Sequence, residues 1–129
     1  MVAIYKLQIL GKVIETNPYH SKVLLLSDKS CQIAAFTNTT SAQGIVQGTN
    51  NLNVCTLSYI THLSKIELGD LVFCSGTGFV FPEGFCLGKI IKHEIKKNDP
   101  YYSIDVAPLV DINAISYCLL TDASKINLF

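Results

Sequence analysis

The chain has 129 residues, the size of one domain able to bury its own core without metal or disulfide support. Hydrophobic residues make up 49% and charged residues 16%, an apolar balance that suits a well-filled barrel or a surface kept for a partner. Ten basic against ten acidic residues leave no net charge, so nothing steers the chain to nucleic acid or to an anionic membrane.

Taken in chain order, the pattern has period two almost throughout. Ala3, Tyr5, Leu7 and Ile9 share one strand face, with Lys6 and Gln8 opposite. Val13-Ile14 continue extended to the turn signal Asn17-Pro18. Lys22 to Ser27 is a dense apolar strand, Asp28-Lys29-Ser30 a turn, and Cys31 to Phe36 a return strand, which together read as a hairpin. Asn38 to Gln43 is a polar loop, Gly44 to Gly48 a strand bracketed by glycines, and Asn50-Asn51 a turn. Cys55, Leu57 and Tyr59 then share a face, with Thr56 and Ser58 opposite, and Thr61 to Leu68 has room for one helical turn.

Gly69-Asp70 launches a short strand, Leu71 to Cys74. The glycine-spaced loop Ser75-Gly76-Thr77-Gly78 follows, with an aromatic tip, Phe79-Val80-Phe81, held by Pro82 and Gly84. Phe85 to Lys97 is the longest strand, with Ile91, His93 and Ile95 on one face and Lys92, Glu94 and Lys96 on the other. After the turn Asn98-Asp99-Pro100, Tyr102, Ile104 and Val106 alternate as the second arm of a hairpin that Pro108 ends. Asp111-Ile112-Asn113 turns the chain into a last strand, Ile115 to Leu120, and residues 122–129 form a tail. Such spacing, eight or nine short strands with no long helix, points to an all-β fold, a small barrel or a sandwich, of which the small antiparallel β-barrel is the expectation taken forward. The domain runs over residues 1–121, with residues 1–14 open to a second reading as the remnant of a preceding barrel.

The chemistry-bearing residues do not converge on one motif. Cys74 and Ser75, with His20, His62 or His93 as base, form the material of a β-barrel serine or cysteine hydrolase. The G-x-S-x-G elbow is absent, and two-barrel proteases need a longer chain. Cys86 and His93 lie seven apart on one strand and face opposite ways, which does not make a zinc site. The five cysteines (Cys31, Cys55, Cys74, Cys86, Cys118) sit scattered in apolar stretches without a C-x-x-C pair, the usage of a reducing compartment. A small-ligand barrel is a third reading and predicts a deep apolar cavity. No cofactor and no metal are expected. Met1 to Leu7 lacks the pattern of an export signal, and no apolar run reaches bilayer length, so the chain is either cytosolic or a piece whose export signal lies upstream. The loop at 75–84 has two readings. Its glycines shape a tight crossover while its phenylalanines fill a barrel end, or Phe79, Val80, Phe81 and Phe85 present an apolar patch to a protein partner.

Several strings in fixed order carry a resemblance. They are Leu10-Gly11-Lys12-Val13-Ile14, Ser21 to Asp28 (SKVLLLSD), Gly44 to Gly48, and Ile66 to Val72 with its Gly69-Asp70. Ser75-Gly76-Thr77-Gly78, Phe81-Pro82-Glu83-Gly84, Leu87 to Ile90 and Val106-Ala107-Pro108 complete the set. Over residues 10 to 121 this order resembles the C-terminal part of the extracytoplasmic region of the rod shape-determining MreC family. Thr77 stands where leucine is usual and Phe79 where the second glycine is usual. The resemblance implies a non-enzymatic scaffold that self-associates and organises peptidoglycan synthases (penicillin-binding proteins), with MreD and MreB as associates. It also implies a periplasmic location at the inner membrane, held there only by an N-terminal anchor outside this chain. The chain itself would be a piece of a longer protein.

Overall fold

The computed structural model describes residues 2–6, 8–75 and 84–121. Alternating side chains and turn residues yield ten strands: β1 (Val2–Tyr5), β2 (Gln8–Thr16), β3 (Ser21–Leu25), β4 (Gln32–Thr37), β5 (Gln43–Asn51), β6 (Val54–Ser58), β7 (Leu71–Cys74), β8 (Cys86–Ile95), β9 (Tyr102–Ala107) and β10 (Leu119–Thr121). Strands β4 to β9 close on themselves in the order β8-β7-β4-β5-β6-β9 and back to β8, all antiparallel, giving a closed six-stranded barrel, in line with the small antiparallel β-barrel expected. Closure removes edges from this part of the sheet. β1, β2, β3 and β10 form a second layer in the order β10-β1-β2-β3, joined to the barrel where Gln8 of β2 pairs in parallel with Cys86 of β8.

The barrel interior is filled by side chains. Val46, Leu57, Ile104 and Val106 have no exposed surface, and Val2, Ile4 and Ile9 of the outer layer pack in the same cluster. Val2, Ile4 and Ile9 therefore share the barrel's core.

Several local readings change. The strand expected through Ala3, Tyr5, Leu7 and Ile9 is broken by Lys6 at φ +55°, which folds Tyr5 back onto Gln8. The expected hairpin of residues 22–36 does not form: β3 pairs with β2 around the Asn17-Pro18 turn, and β4 pairs with β5 and β7. Residues 26–31 instead carry the chain from the outer layer to the barrel. They do so through two tight turns, Asp28 N–H to Leu25 O at 2.9 Å and Cys31 N–H to Asp28 O at 2.9 Å. Gly48 makes this passage possible, because a Cβ there would lie 2.1 Å from the Asp28 carbonyl oxygen.

The third change is in β8. It slips by one residue between Ile90 and Lys92, so Ile91 bulges and the apolar row Ile91, His93, Ile95 is not a buried face. Ile91 and Ile95 are exposed, and His93 is half-buried with its ring edge-on to Tyr102 at 5.7 Å. The fourth is at the end of β6. Alternation would send Tyr59 inward beside Cys55 and Leu57, yet Tyr59 takes φ +70°, its ring turns out to 60% exposure, and Ile60 fills the core instead. Thr61 to Leu68 forms turns and not a helical turn, and Ile112–Ala114 is a single 3₁₀ turn before a last strand shorter than expected.

Candidate functional site

The loop singled out in the sequence joins two neighbouring antiparallel strands. Phe73 of β7 opposes Cys86 of β8, and beyond that pair Cys74 N–H donates to Phe85 O at 2.8 Å while Gly84 N–H donates to Cys74 O at 2.9 Å. The connection is thus a hairpin whose neck is closed at Cys74 and Gly84, and not a crossover. Gly84 sits at φ +92°, a conformation that a side chain would strain. On the other side Ser75 N–H donates to Ala34 O at 3.0 Å, which ties the neck to β4. Phe79, Val80 and Phe81 lie outside the described residues. Phe85 lies inside them, is 3% exposed, and packs in the core with Leu87 and Val72. In the chain alone its ring is a footing for the hairpin.

Asp70 fixes the entry to β7. Its carboxylate accepts from Thr39 Oγ1 at 2.8 Å and from Glu67 N–H at 3.0 Å, binding the 38–40 loop to the 67–70 turn. The adjoining Leu71 N–H donates to Asn38 Oδ1 at 3.1 Å. Asn38-Thr39, read as a polar loop from the sequence, is thereby part of the frame that aims the hairpin.

The hydrolase constellation is dispersed. Cys74 is buried and Ser75 half-buried at the hairpin neck. His93 stacks on Tyr102 in β9, His20 meets Asn17 Nδ2 at 3.0 Å in the β2–β3 turn, and His62 donates its N–H to Pro100 O. Each histidine belongs to a different turn or strand. Cys86, beside the neck, has its thiol pushed up by burial, partly offset by its contact with the Gly88 carbonyl, and burial pushes Cys55 up to about 11. These thiols are held protonated at neutral pH and serve as core filling. Cys31, Cys55 and Cys86 are buried free thiols, and Cys118 is an exposed one. Among the described residues, no group of three or more His, Cys, Asp or Glu side chains is placed to hold a metal ion.

Residues 1–122 match the family described as rod shape-determining protein MreC, barrel core. The chain belongs to the MreC family. It is 27% identical over 121 residues to the cell shape-determining protein MreC of Haemophilus influenzae, a match covering 93% of this chain and 34% of that protein. The chain therefore spans about a third of the length of that relative. Its fold superposes on the crystal structure of MreC from Pseudomonas aeruginosa with a TM-score of 0.80 and 28% identity, covering 83% of this chain and 69% of the other. A chain of the Helicobacter pylori complex between penicillin-binding protein PBP2 and MreC shares the fold at a TM-score of 0.66 and 21% identity, over 81% of this chain and 64% of the other. MreC-family membership accounts for the ordered strings from Leu10 to Pro108. In this chain no helix among the described residues is long and apolar enough to cross a membrane.

Proposed function

We propose that this chain is a non-enzymatic interaction module of the bacterial cell-elongation machinery, working on the extracytoplasmic face of the inner membrane and helping to organise peptidoglycan synthases. The observation that carries this reading is the MreC barrel-core match over residues 1–122. A relative of the same fold, solved as a complex with a penicillin-binding protein, supports the choice of partner. In this reading the β7–β8 hairpin offers Phe79, Val80 and Phe81 to a groove on the synthase, while buried Phe85 and the Asp70 hydrogen bonds hold the hairpin in place. Self-association uses the outer layer, because the barrel is closed whereas β3 pairs only with β2 and β10 only with β1 among the described residues. MreD and MreB join through parts of the full-length protein beyond this chain, which also supply its membrane anchor.

The test is calorimetric titration of the chain with the extracytoplasmic domain of a penicillin-binding protein from the same cell. The expected result is saturable binding that Phe79→Ser with Phe81→Ser weakens at least tenfold while the melting temperature stays within a few degrees. Loss of tenfold in affinity corresponds to about 1.4 kcal/mol, within the range of one aromatic anchor. No binding by the unaltered chain would sink the synthase reading. Stoichiometric labelling of Ser75 by a serine-reactive probe, abolished on unfolding, would replace it with the hydrolase.

A further inference from the structure

β6 ends in a way that core packing does not require. A tyrosine at φ +70° is a genuine backbone outlier, a conformation that strains a bulky residue. Here the outlier moves a large ring from the core side to solvent, where it is 60% exposed. It meets Tyr101, whose ring stands edge-on at 5.7 Å and 84°. Tyr101 is itself set by its N–H donating to Asp99 Oδ1 at 2.9 Å, and the bridge between Thr61 and Tyr101 pins the two segments together. Tyr59 directly follows β6 and Tyr101 directly precedes β9, and the pairing of those two strands brings the rings together.

The rings line a cleft of about 260 Å³ with Ser58, Ser103, Lys96 and Asp99 along its walls. A second cleft of about 460 Å³, lined by Ile95, Pro100 and His62, adjoins the first and shares Lys96 and Asp99 with it. The shared wall carries the cation Lys96 and the anion Asp99, and Lys97 adds a second cation to the larger cleft, so charged donors and an acceptor line the groove side by side. Its contents are two aromatic faces, an aliphatic floor, and hydroxyl, carboxylate and ammonium groups able to donate and accept. The smaller cleft falls short of the roughly 300–1,000 Å³ typical of sites for drug-sized molecules, and two adjoining clefts suit a ligand built of repeating small units. Neutral rings with an apolar face and a rim of hydroxyls meet every one of these conditions: C–H faces lie on tyrosine, and hydroxyls reach the Lys96–Asp99 wall.

We propose that the Tyr59–Tyr101 groove is a saccharide-binding site, taking one neutral sugar ring against the two tyrosines and the next over Ile95 and Pro100. This site goes beyond the synthase contact and does not rest on it. The groove lies on the β6–β9 side of the barrel, formed by β6, β9 and the β8–β9 turn, while the synthase contact is assigned to the β7–β8 hairpin. The strained tyrosine is thereby explained as a platform kept at the cost of some stability.

The experiment is an NMR titration of the 129-residue chain with the N-acetylglucosamine trimer, repeated with tetramethylammonium and with a short apolar peptide. The expected result is saturable binding in the millimolar range that shifts amides of residues 56–59 and 95–103. Tyr59→Asn removes the ring while keeping a residue that tolerates positive φ, so the fold is retained. That variant, and Tyr101→Ala, weaken trimer binding at least fivefold, and Tyr19→Ala on the β2–β3 turn leaves it unchanged. Trimer binding that is absent, or that persists unchanged in both groove variants, overturns the proposal. Saturable binding of the ammonium or the peptide in place of the trimer overturns it too, and turns the groove into a cation or protein contact.

Discussion

Replacing Gln8 with methionine loosens the joint between the outer layer and the barrel. Gln8 is 3% exposed, and its side chain spans three elements. Nε2 donates to Ile9 O at 2.8 Å and to Leu87 O at 3.2 Å, and Oε1 accepts from Leu109 N–H at 3.1 Å. Methionine keeps the length and volume but makes none of these bonds. Each is worth about 1 kcal/mol net, and the Leu87 carbonyl, in a residue with no exposed surface, keeps part of its desolvation penalty when orphaned. Apolar gain from the new side chain offsets some of this, so the expected loss is about 2–3 kcal/mol. Urea unfolding reads it as a lower midpoint at unchanged slope. Hydrogen exchange at Leu109 should speed up in parallel. Gln8→Glu adds a check on sign. A carboxyl facing two carbonyls from a buried site prefers its protonated form, so its folded pKa rises above the ordinary value of about 4.3. Stability is then fully present below that value and falls as pH rises through it, and the variant should be weaker at neutral pH than in mild acid. A loss under about 1 kcal/mol for Gln8→Met, with Leu109 exchange unchanged, would show that packing of Val2, Ile4 and Ile9 holds the joint without the amide.

Four further outcomes follow from the same geometry. Gly48→Ala should cost about 1–3 kcal/mol by thermal unfolding, because its Cβ would sit 2.1 Å from the Asp28 carbonyl and backbone must move to admit it. Asp70→Ala should cost about 2 kcal/mol and raise protease sensitivity near residues 38–40, since two charge-assisted hydrogen bonds are lost. In the native chain, Ellman's reagent should modify exposed Cys118 quickly and buried Cys31, Cys55 and Cys86 only after denaturation. Because burial lifts Cys55 to about 11 from 9.0, its contribution to stability is intact below the lower value and is lost as pH climbs between the two, which a urea midpoint measured across that window will show.

The barrel was legible in the sequence because alternation reports burial on one face, and Ile33, Val46, Leu57 and Ile104 obey it. Pairing partners were less legible. The turn Asp28-Lys29-Ser30 has the chemistry of a hairpin loop, and only the tertiary structure shows that it closes on itself through the Asp28 carboxylate and Ser30 while β3 pairs backwards with β2. Gly48 carried the missing signal: a glycine inside a strand marks a close backbone approach, and here the neighbour is Asp28. In the same way His93 and Ile95 kept a perfect period on paper, and a single bulge at Ile91 cancelled it. One extra residue inverts every side chain beyond it, and no composition rule locates that residue in advance.

Tyr59 separates two kinds of failure of that rule. At Ile91, inside β8, the bulge leaves an isoleucine exposed and a histidine half-buried while the pairing with β9 continues on either side. At Tyr59 the slip has a backbone cost and an exposed aromatic ring, although glycine or asparagine would make the same turn with less strain. A chain selected only for stability would hold the cheaper residue there. Tyr59→Gly should therefore raise stability, by roughly 1 kcal/mol once about 1 kcal/mol of edge-to-face contact with Tyr101 is subtracted from the strain relieved. Chemical unfolding of that variant decides the point. A gain marks the tyrosine as kept for contact with something outside the chain. A loss of more than about 1 kcal/mol would mean that the Tyr59–Tyr101 pair is itself part of how the β6–β9 side of the barrel is held shut.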